Sequence, residues 1–171
     1  MASIRATLAI GALKGYRPLV RDAAQAYIQA RIDGPGRPAT WVRLPKHMWP
    51  EHWRGKFKDP VVPLRRALYG HPESGALWEK HLADILTKLG WAKIDSHPGV
   101  WYHQKDDAVL AVYVDDLLMV APPALEAKLW RDIGNQVQFD EEPAPIRKFL
   151  GAYHDVLSKG KLTTLDVQMN E

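Results

Sequence analysis

The 171-residue sequence contains no cysteine, which excludes a disulfide framework, a thiolate nucleophile and a cysteine-ligated zinc finger, and fits a reducing compartment. It has no run of 18 apolar residues, and its first residues lack a basic segment followed by a long apolar one. Neither a membrane-spanning helix nor an export signal is therefore read from it. The expectation is a soluble protein of the cytoplasm, with the nucleus as the alternative, and no membrane partner. Net charge is small as well: 23 Lys and Arg against 20 Asp and Glu leave +3, which permits an anionic partner without requiring one. Internal repeats and low-complexity tracts are missing too. What is present is 46% apolar and 25% charged residues, enough for one ordinary core, and at this length a single domain is expected.

Local pattern orders the elements. Residues 3–14 read as a helix, with Ser3 placed to cap it, Ile4 and Leu8 one turn apart, and Gly15 as its stop. Residues 18–22 read as a short strand ending in an acid, Asp22, and residues 23–28 as a small-residue turn into an apolar stretch. Between Gly34 and Pro63 the chain carries six prolines, the three tryptophans Trp41, Trp49 and Trp53, and the cations Lys46, Arg54, Lys56 and Lys58. Only residues 41–44 and 61–62 look extended there. This irregular basic and aromatic insertion has the composition of a surface that stacks on bases and neutralises phosphates, and equally that of a plain solvated loop.

The strongest helix is predicted over residues 72–89, with Trp78, Leu82, Ile85, Leu86 and Leu89 on one face, Pro72 in the first turn and Gly90 at the stop. Strands are predicted over residues 99–103 and 108–114, antiparallel through an Asp106-Asp107 turn, and again over residues 117–120 beyond Asp115-Asp116. An amphipathic helix over residues 124–134 follows Pro122-Pro123, and residues 148–167 read as two short strands about Ser158-Lys159-Gly160. Trp78, Trp91, Trp101 and Trp130 fall on apolar faces and are expected in the core. The order gives an α+β domain, an antiparallel sheet with helices packed on one face.

Two adjacent carboxylates inside an apolar hairpin repel each other and raise each other's pKa unless a cation neutralises them. Asp115 and Asp116 at a hairpin tip, joined by Asp22 at the end of a neighbouring strand, would form three hard oxygen ligands for magnesium, the arrangement that serves two-metal phosphoryl transfer. A polar turn is the commoner meaning of an isolated Asp-Asp between strands, and spacing alone does not decide between the two. Other chemistries find less. Gly70 and Gly75 have phosphate-loop spacing, but Ala76 stands where the lysine belongs. Ser74 lacks the glycine elbow of a hydrolase nucleophile. The pairs His47 and His52, and His97 and His103, have no third zinc ligand at a suggestive spacing.

The string Tyr113-Val114-Asp115-Asp116, set between two apolar arms, resembles the catalytic hairpin of reverse transcriptases. Residues 22–30, in which Asp22 precedes the aromatic Tyr27 by five positions, resemble the family's first metal-binding block. Residues 64–70, ending Leu68-Tyr69-Gly70 and followed by a helix with Trp78, resemble the copia-type retrotransposon pattern. Lys148-Phe149-Leu150-Gly151 is similar to the family's short strand near the primer grip. The resemblance covers about residues 4–156, with the blocks in the family's order.

The resemblance implies one partial reverse-transcriptase palm domain over residues 1–171, fingers and thumb incomplete, with the insertion at about residues 34–63. It implies an RNA-directed DNA polymerase in which Asp22, Asp115 and Asp116 are catalytic and bind two magnesium ions, with manganese as the alternative. Ala23, Gln25, Tyr27, Tyr69 and Gly70 would meet the incoming nucleotide, Tyr27 as the steric gate against a 2′-hydroxyl. Tyr113, Phe149, Leu150 and Gly151 would face primer and template. The implied partners are an RNA or DNA template with its primer, deoxynucleoside triphosphates and other parts of a retrotransposon polyprotein. Two positions depart from the family: Ala24 stands where a lysine is usual, and Glu73 where a glutamine is. Glu73 adds repulsion near a triphosphate unless Arg65, Arg66 or magnesium offsets it. The alternative reading is a non-catalytic retrotransposon remnant that binds nucleic acid weakly through the insertion.

Overall fold

The computed structural model describes residues 2–159 and 162–169, with residues 155–159 and 162–169 described through their backbone. Its elements run in chain order as α1 (Ala2–Lys14), β1 (Pro18–Asp22), α2 (Ala26–Gln29), β2 (Trp41–Arg43), β3 (Val61–Pro63) and α3 (Ser74–Lys88). They continue as β4 (Ala92–Lys93), β5 (Val100–His103), β6 (Ala108–Tyr113), β7 (Asp116–Val120), α4 (Glu126–Gly134), β8 (Ala144–Pro145), β9 (Lys148–Phe149), β10 (Ala152–Lys159) and β11 (Leu162–Met169). Two compact units result, one of Met1–Ala26 with Leu82–Glu171, the other of Tyr27–His81.

The first unit is built on a six-stranded sheet in the order β4-β5-β6-β7-β1-β8, with every neighbouring pair antiparallel. This is the expected α+β architecture. Leu8 of α1 packs with Val100, Val109, Ala111, Leu118 and Val120 from one face of the central strands, and Ile146 and Phe149 complete that cluster. The alternate side chains Leu110, Leu117 and Met119 point to the opposite face, and they are buried as well. Burial on both faces explains why β6 and β7 are written as nearly continuous apolar runs rather than as an alternation. Each fully buried leucine among them contributes about 2–3 kcal/mol of transfer free energy.

Local signals place the helices to within a residue or two. Gly15 closes α1 at φ +70°, but Ser3 lies inside the helix rather than capping it, and its carbonyl accepts the Thr7 hydroxyl at 3.1 Å. Trp91, Trp101 and Trp130 are buried, as expected. His103 is buried too, with Nε2 3.1 Å from the Leu89 carbonyl and Nδ1 accepting the Asp106 backbone N–H. That is a satisfied core histidine rather than a ligand. Beyond β8, strands β9, β10 and β11 form a separate sheet in the order β11-β10-β9. The β10–β11 hairpin matches the two strands read from the sequence, at eight residues each, while Gly160 of the expected turn lies outside the described residues.

The second unit holds α2, the antiparallel pair β2–β3 and the first turns of α3. Residues 34–63 are as irregular as their prolines demand: Pro45 and Pro50 each open a three-residue 3₁₀ turn, Lys46–Met48 and Glu51–Trp53. Helix α3 starts at Ser74, two residues after Pro72. The Ser74 hydroxyl donates to the Leu68 carbonyl at 2.7 Å and accepts the Leu68 N–H at 3.1 Å, which ties the helix start to the preceding loop. Trp78 is buried here. Among the described residues no helix is long and apolar enough to cross a membrane.

Candidate active site at the end of the central sheet

The β6–β7 ladder runs out to the pair Tyr113↔Asp116, which leaves a two-residue loop of Val114 and Asp115. Asp116 is therefore the first residue of β7 rather than part of the loop, and only Asp115 occupies the tip expected for both. Val114 takes φ +57°. Positive φ at the first loop position is the conformation of II′ hairpin turns, where glycine is usual and a β-branched side chain is strained by about 1–3 kcal/mol. Val114→Gly is accordingly expected to stabilise the fold by about 1 kcal/mol after the added freedom of the unfolded chain is allowed for. A rise in melting temperature would show this, and an unchanged or lower one would remove strain from the account.

Strand β1 brings the third acid. Its register with β7 sets Asp22 directly against Asp116, and the next residue, Ala23, donates its N–H to the Asp115 carbonyl at 2.9 Å. The three acids are thus held at one end of the sheet by backbone pairing. Their charges feel one another. Desolvation, reinforced by the charges of Asp115, Asp116 and Asp140, pushes Asp22 up from 3.8 to about 6. Burial and the Asp115 charge raise Asp116 as well.

Asp140 is a neighbour that motif reasoning did not find. The segment that carries it runs beside the end of β1: Ala23 bridges Phe139, Ala24 N–H donates to the Gln138 carbonyl at 2.9 Å, and Asp140 N–H donates to the Asp22 carbonyl at 3.1 Å. Arg21 clamps the same segment. Its guanidinium lies 4.3 Å from the centre of the Phe139 ring, its Nε donates to the Glu141 carbonyl at 2.6 Å, and Glu142 stands 3.8 Å away. The one signal in the sequence is the acidic run Asp140-Glu141-Glu142 after α4.

Among the described residues no group of three or more His, Asp or Glu side chains is already assembled to hold a metal ion. The donor set nevertheless suits a hard divalent cation, because the oxygens are carboxylates and two of the three groups are pushed toward protonation by one another, a conflict that positive charge relieves. The raised Asp22 also sets a pH dependence. A carboxyl that binds its proton more tightly folded than unfolded lowers stability as pH rises from about 4 to about 6. In chelator, the urea midpoint is expected to fall across that window by more for the natural chain than for Asp22→Asn. Equal falls would detach the effect from Asp22.

The remaining residues are placed as follows. Ala23 is buried, and Gln25 is exposed at φ +46°. Tyr113 is exposed at 58%. Phe149 is packed in the core cluster, with Leu150 against it, while Gly151 is exposed. Leu150 and Gly151 are consecutive left-handed residues at φ +48° and +80°. In the second unit the rings of Tyr27 and Tyr69 lie 4.6 Å apart, followed by Gly70 at φ +88°. Glu73 has a cation beside it, Arg37 at 3.5 Å, a partner not foreseen from the sequence.

Residues 1–163 match the family described as reverse transcriptase (RNA-dependent DNA polymerase), and the chain belongs to that family. A transposon Ty5-1 protein of Saccharomyces cerevisiae is 26% identical over 145 residues, which cover 83% of this chain and 44% of that protein. The chain thus spans less than half the length of this relative. The resemblance read from the motifs is borne out by the two matches.

Proposed function

We propose that the chain is the palm of a copia-type retrotransposon's RNA-directed DNA polymerase, extending a primer on an RNA or DNA template with deoxynucleoside triphosphates. The reading rests above all on the register that sets Asp22 against Asp116 with Asp115 beside them. Asp22, Asp115 and Asp116 would hold two divalent cations, magnesium with manganese as the alternative. Bound there, such a pair stabilises charge on the attacking 3′-hydroxyl oxygen and on the leaving pyrophosphate.

The chain's own residues do the positioning. Backbone around buried Ala23, with Gln25, lies next to the acids in sequence and would line the triphosphate. Tyr27, braced by Tyr69 and followed in the site by Gly70, would press on the sugar and reject a 2′-hydroxyl. Exposed Tyr113, together with Leu150, Gly151 and the backbone of Phe149, would guide the primer end. Arg37 offsets the Glu73 charge, so the carboxylate at that position repels a nucleotide less than it would alone. Other parts of a retrotransposon polyprotein would complete the enzyme, working in the cytoplasm.

Primer extension on an RNA template with magnesium tests the proposal. Incorporation of deoxynucleotides is expected, and none at any magnesium concentration would overturn it. In an active preparation, Tyr27→Ala is expected to admit ribonucleotides, with sugar discrimination falling by about a hundredfold. Unchanged discrimination would take the gate away from Tyr27.

A further inference from the structure

We propose that the second unit carries a separate binding surface for single-stranded nucleic acid, formed by the exposed face of β2–β3 and the loop of residues 44–60 that joins them. It goes beyond the polymerase reading and needs neither the three acids nor a divalent cation.

The register makes the face. Trp41 pairs with Pro63 and Arg43 with Val61, so these four side chains share one side of the ladder while Val42 and Val62 point to the other. Trp41 is 58% exposed on it, and in the adjoining loop Met48 and Phe57 are 59% and 51% exposed. Large apolar side chains left in water together on one short segment mark a binding surface more often than chance exposure does. Two of the aromatics are also held in place. The Phe57 ring stands edge-on to Trp53, centroids 5.9 Å apart, and its N–H donates to the Trp53 carbonyl at 3.3 Å.

Charge identifies the partner. Residues 34–63 contain six cations and two acids, a surplus of +4 in a chain whose total is +3, so the rest of the molecule is slightly negative. Arg37 and Arg43 are engaged with Glu73 and Asp59. Lys46, Arg54, Lys56 and Lys58 are exposed, and none of the ion pairs found among the described residues involves them. Flat rings interleaved with unpaired cations match a polymer of stackable bases on a phosphate backbone. An anionic membrane fits less well, because the segment is built from three-residue 3₁₀ turns and proline-broken loop and offers no amphipathic helix to lie in the interface.

The test is fluorescence anisotropy of a labelled oligothymidylate titrated with the full chain in EDTA, repeated over a range of salt concentrations. Salt-dependent binding is expected. Trp41→Ala and Phe57→Ala should each weaken it about tenfold with the salt slope unchanged. Lys56→Gln and Lys58→Gln should each lower the slope by about 0.7. All four side chains are exposed, so the variants are expected to melt with the natural chain, and circular dichroism checks that. Asp115→Asn should bind as the natural chain does, which separates this surface from the polymerase site: extension can fail while binding stands, and binding can fail while extension stands. The proposal is overturned by absence of binding at low salt, by natural affinity in both aromatic variants, or by phosphatidylserine vesicles binding more tightly than the oligonucleotide and with the same dependence on Trp41 and Phe57.

Discussion

Asp22→Asn, Asp115→Asn and Asp116→Asn are each expected to lower primer extension by about a thousandfold or more, the scale on which lost charge stabilisation at a phosphoryl-transfer centre is felt. None should harm the fold. The contacts that assemble the site are made by backbone, namely the β1–β7 register and the Ala23 N–H to the Asp115 carbonyl, and an asparagine leaves them intact. Stability in chelator should instead hold or rise, since each change removes one of the like charges that push Asp22 up to about 6. Magnesium should raise the melting temperature of the natural chain and raise that of the variants less. Asp140→Asn gives the contrast. Its carboxylate adds only to the field at Asp22, while its backbone N–H supplies the structural link, so extension should fall by less than about tenfold. A loss as deep as that of Asp22→Asn would make Asp140 a ligand in its own right. Equal extension by the natural chain and Asp115→Asn would move the chemistry away from this sheet end.

What the sequence made legible follows from the range of the forces involved. The apolar arms around Asp115-Asp116 write a hairpin in local pattern, and β6 and β7 lie where that pattern puts them. That Asp22 meets Asp116 is a long-range fact. It came from the order of family motifs, because no spacing rule connects residues so far apart in the chain. Asp140 had neither kind of signal: it reaches the site on an irregular segment fixed by the Arg21 stack on Phe139 and by backbone bonds to Asp22 and Ala24. Helix starts went astray where a plausible cap had another task. Ser74, not Pro72, begins α3, because the Ser74 hydroxyl is engaged with Leu68. Phe149 shows the complementary limit, since a motif names a residue near the primer without saying that its ring is spent in the core.

Gly99→Ala is expected to be the most damaging single change in the body of the sheet, at about 3 kcal/mol, or a fall of about 10 °C in melting temperature. Two costs add there. At φ +79° an alanine is strained by about 1 kcal/mol, and its Cβ would stand 2.6 Å from the Val112 carbonyl oxygen. That oxygen cannot easily retreat, because Val112 is pinned from both sides: its N–H donates to the Gly99 carbonyl at 2.8 Å, and it pairs with Leu117 of β7. The clash is therefore relieved only by parting β5 from β6 at the end nearest Asp115. Gly36→Ala separates the two costs, because Gly36 has a similar φ of +77° with nothing within 4 Å of the added carbon. It should lose only the strain, about 1 kcal/mol. The displaced end of β6 carries Tyr113 into the Val114-Asp115 loop, so in an active preparation Gly99→Ala should lose extension well below its own melting temperature, whereas Gly36→Ala should not. Matching losses of stability in the two variants would show that backbone strain alone, and no close approach to Val112, makes glycine necessary at position 99.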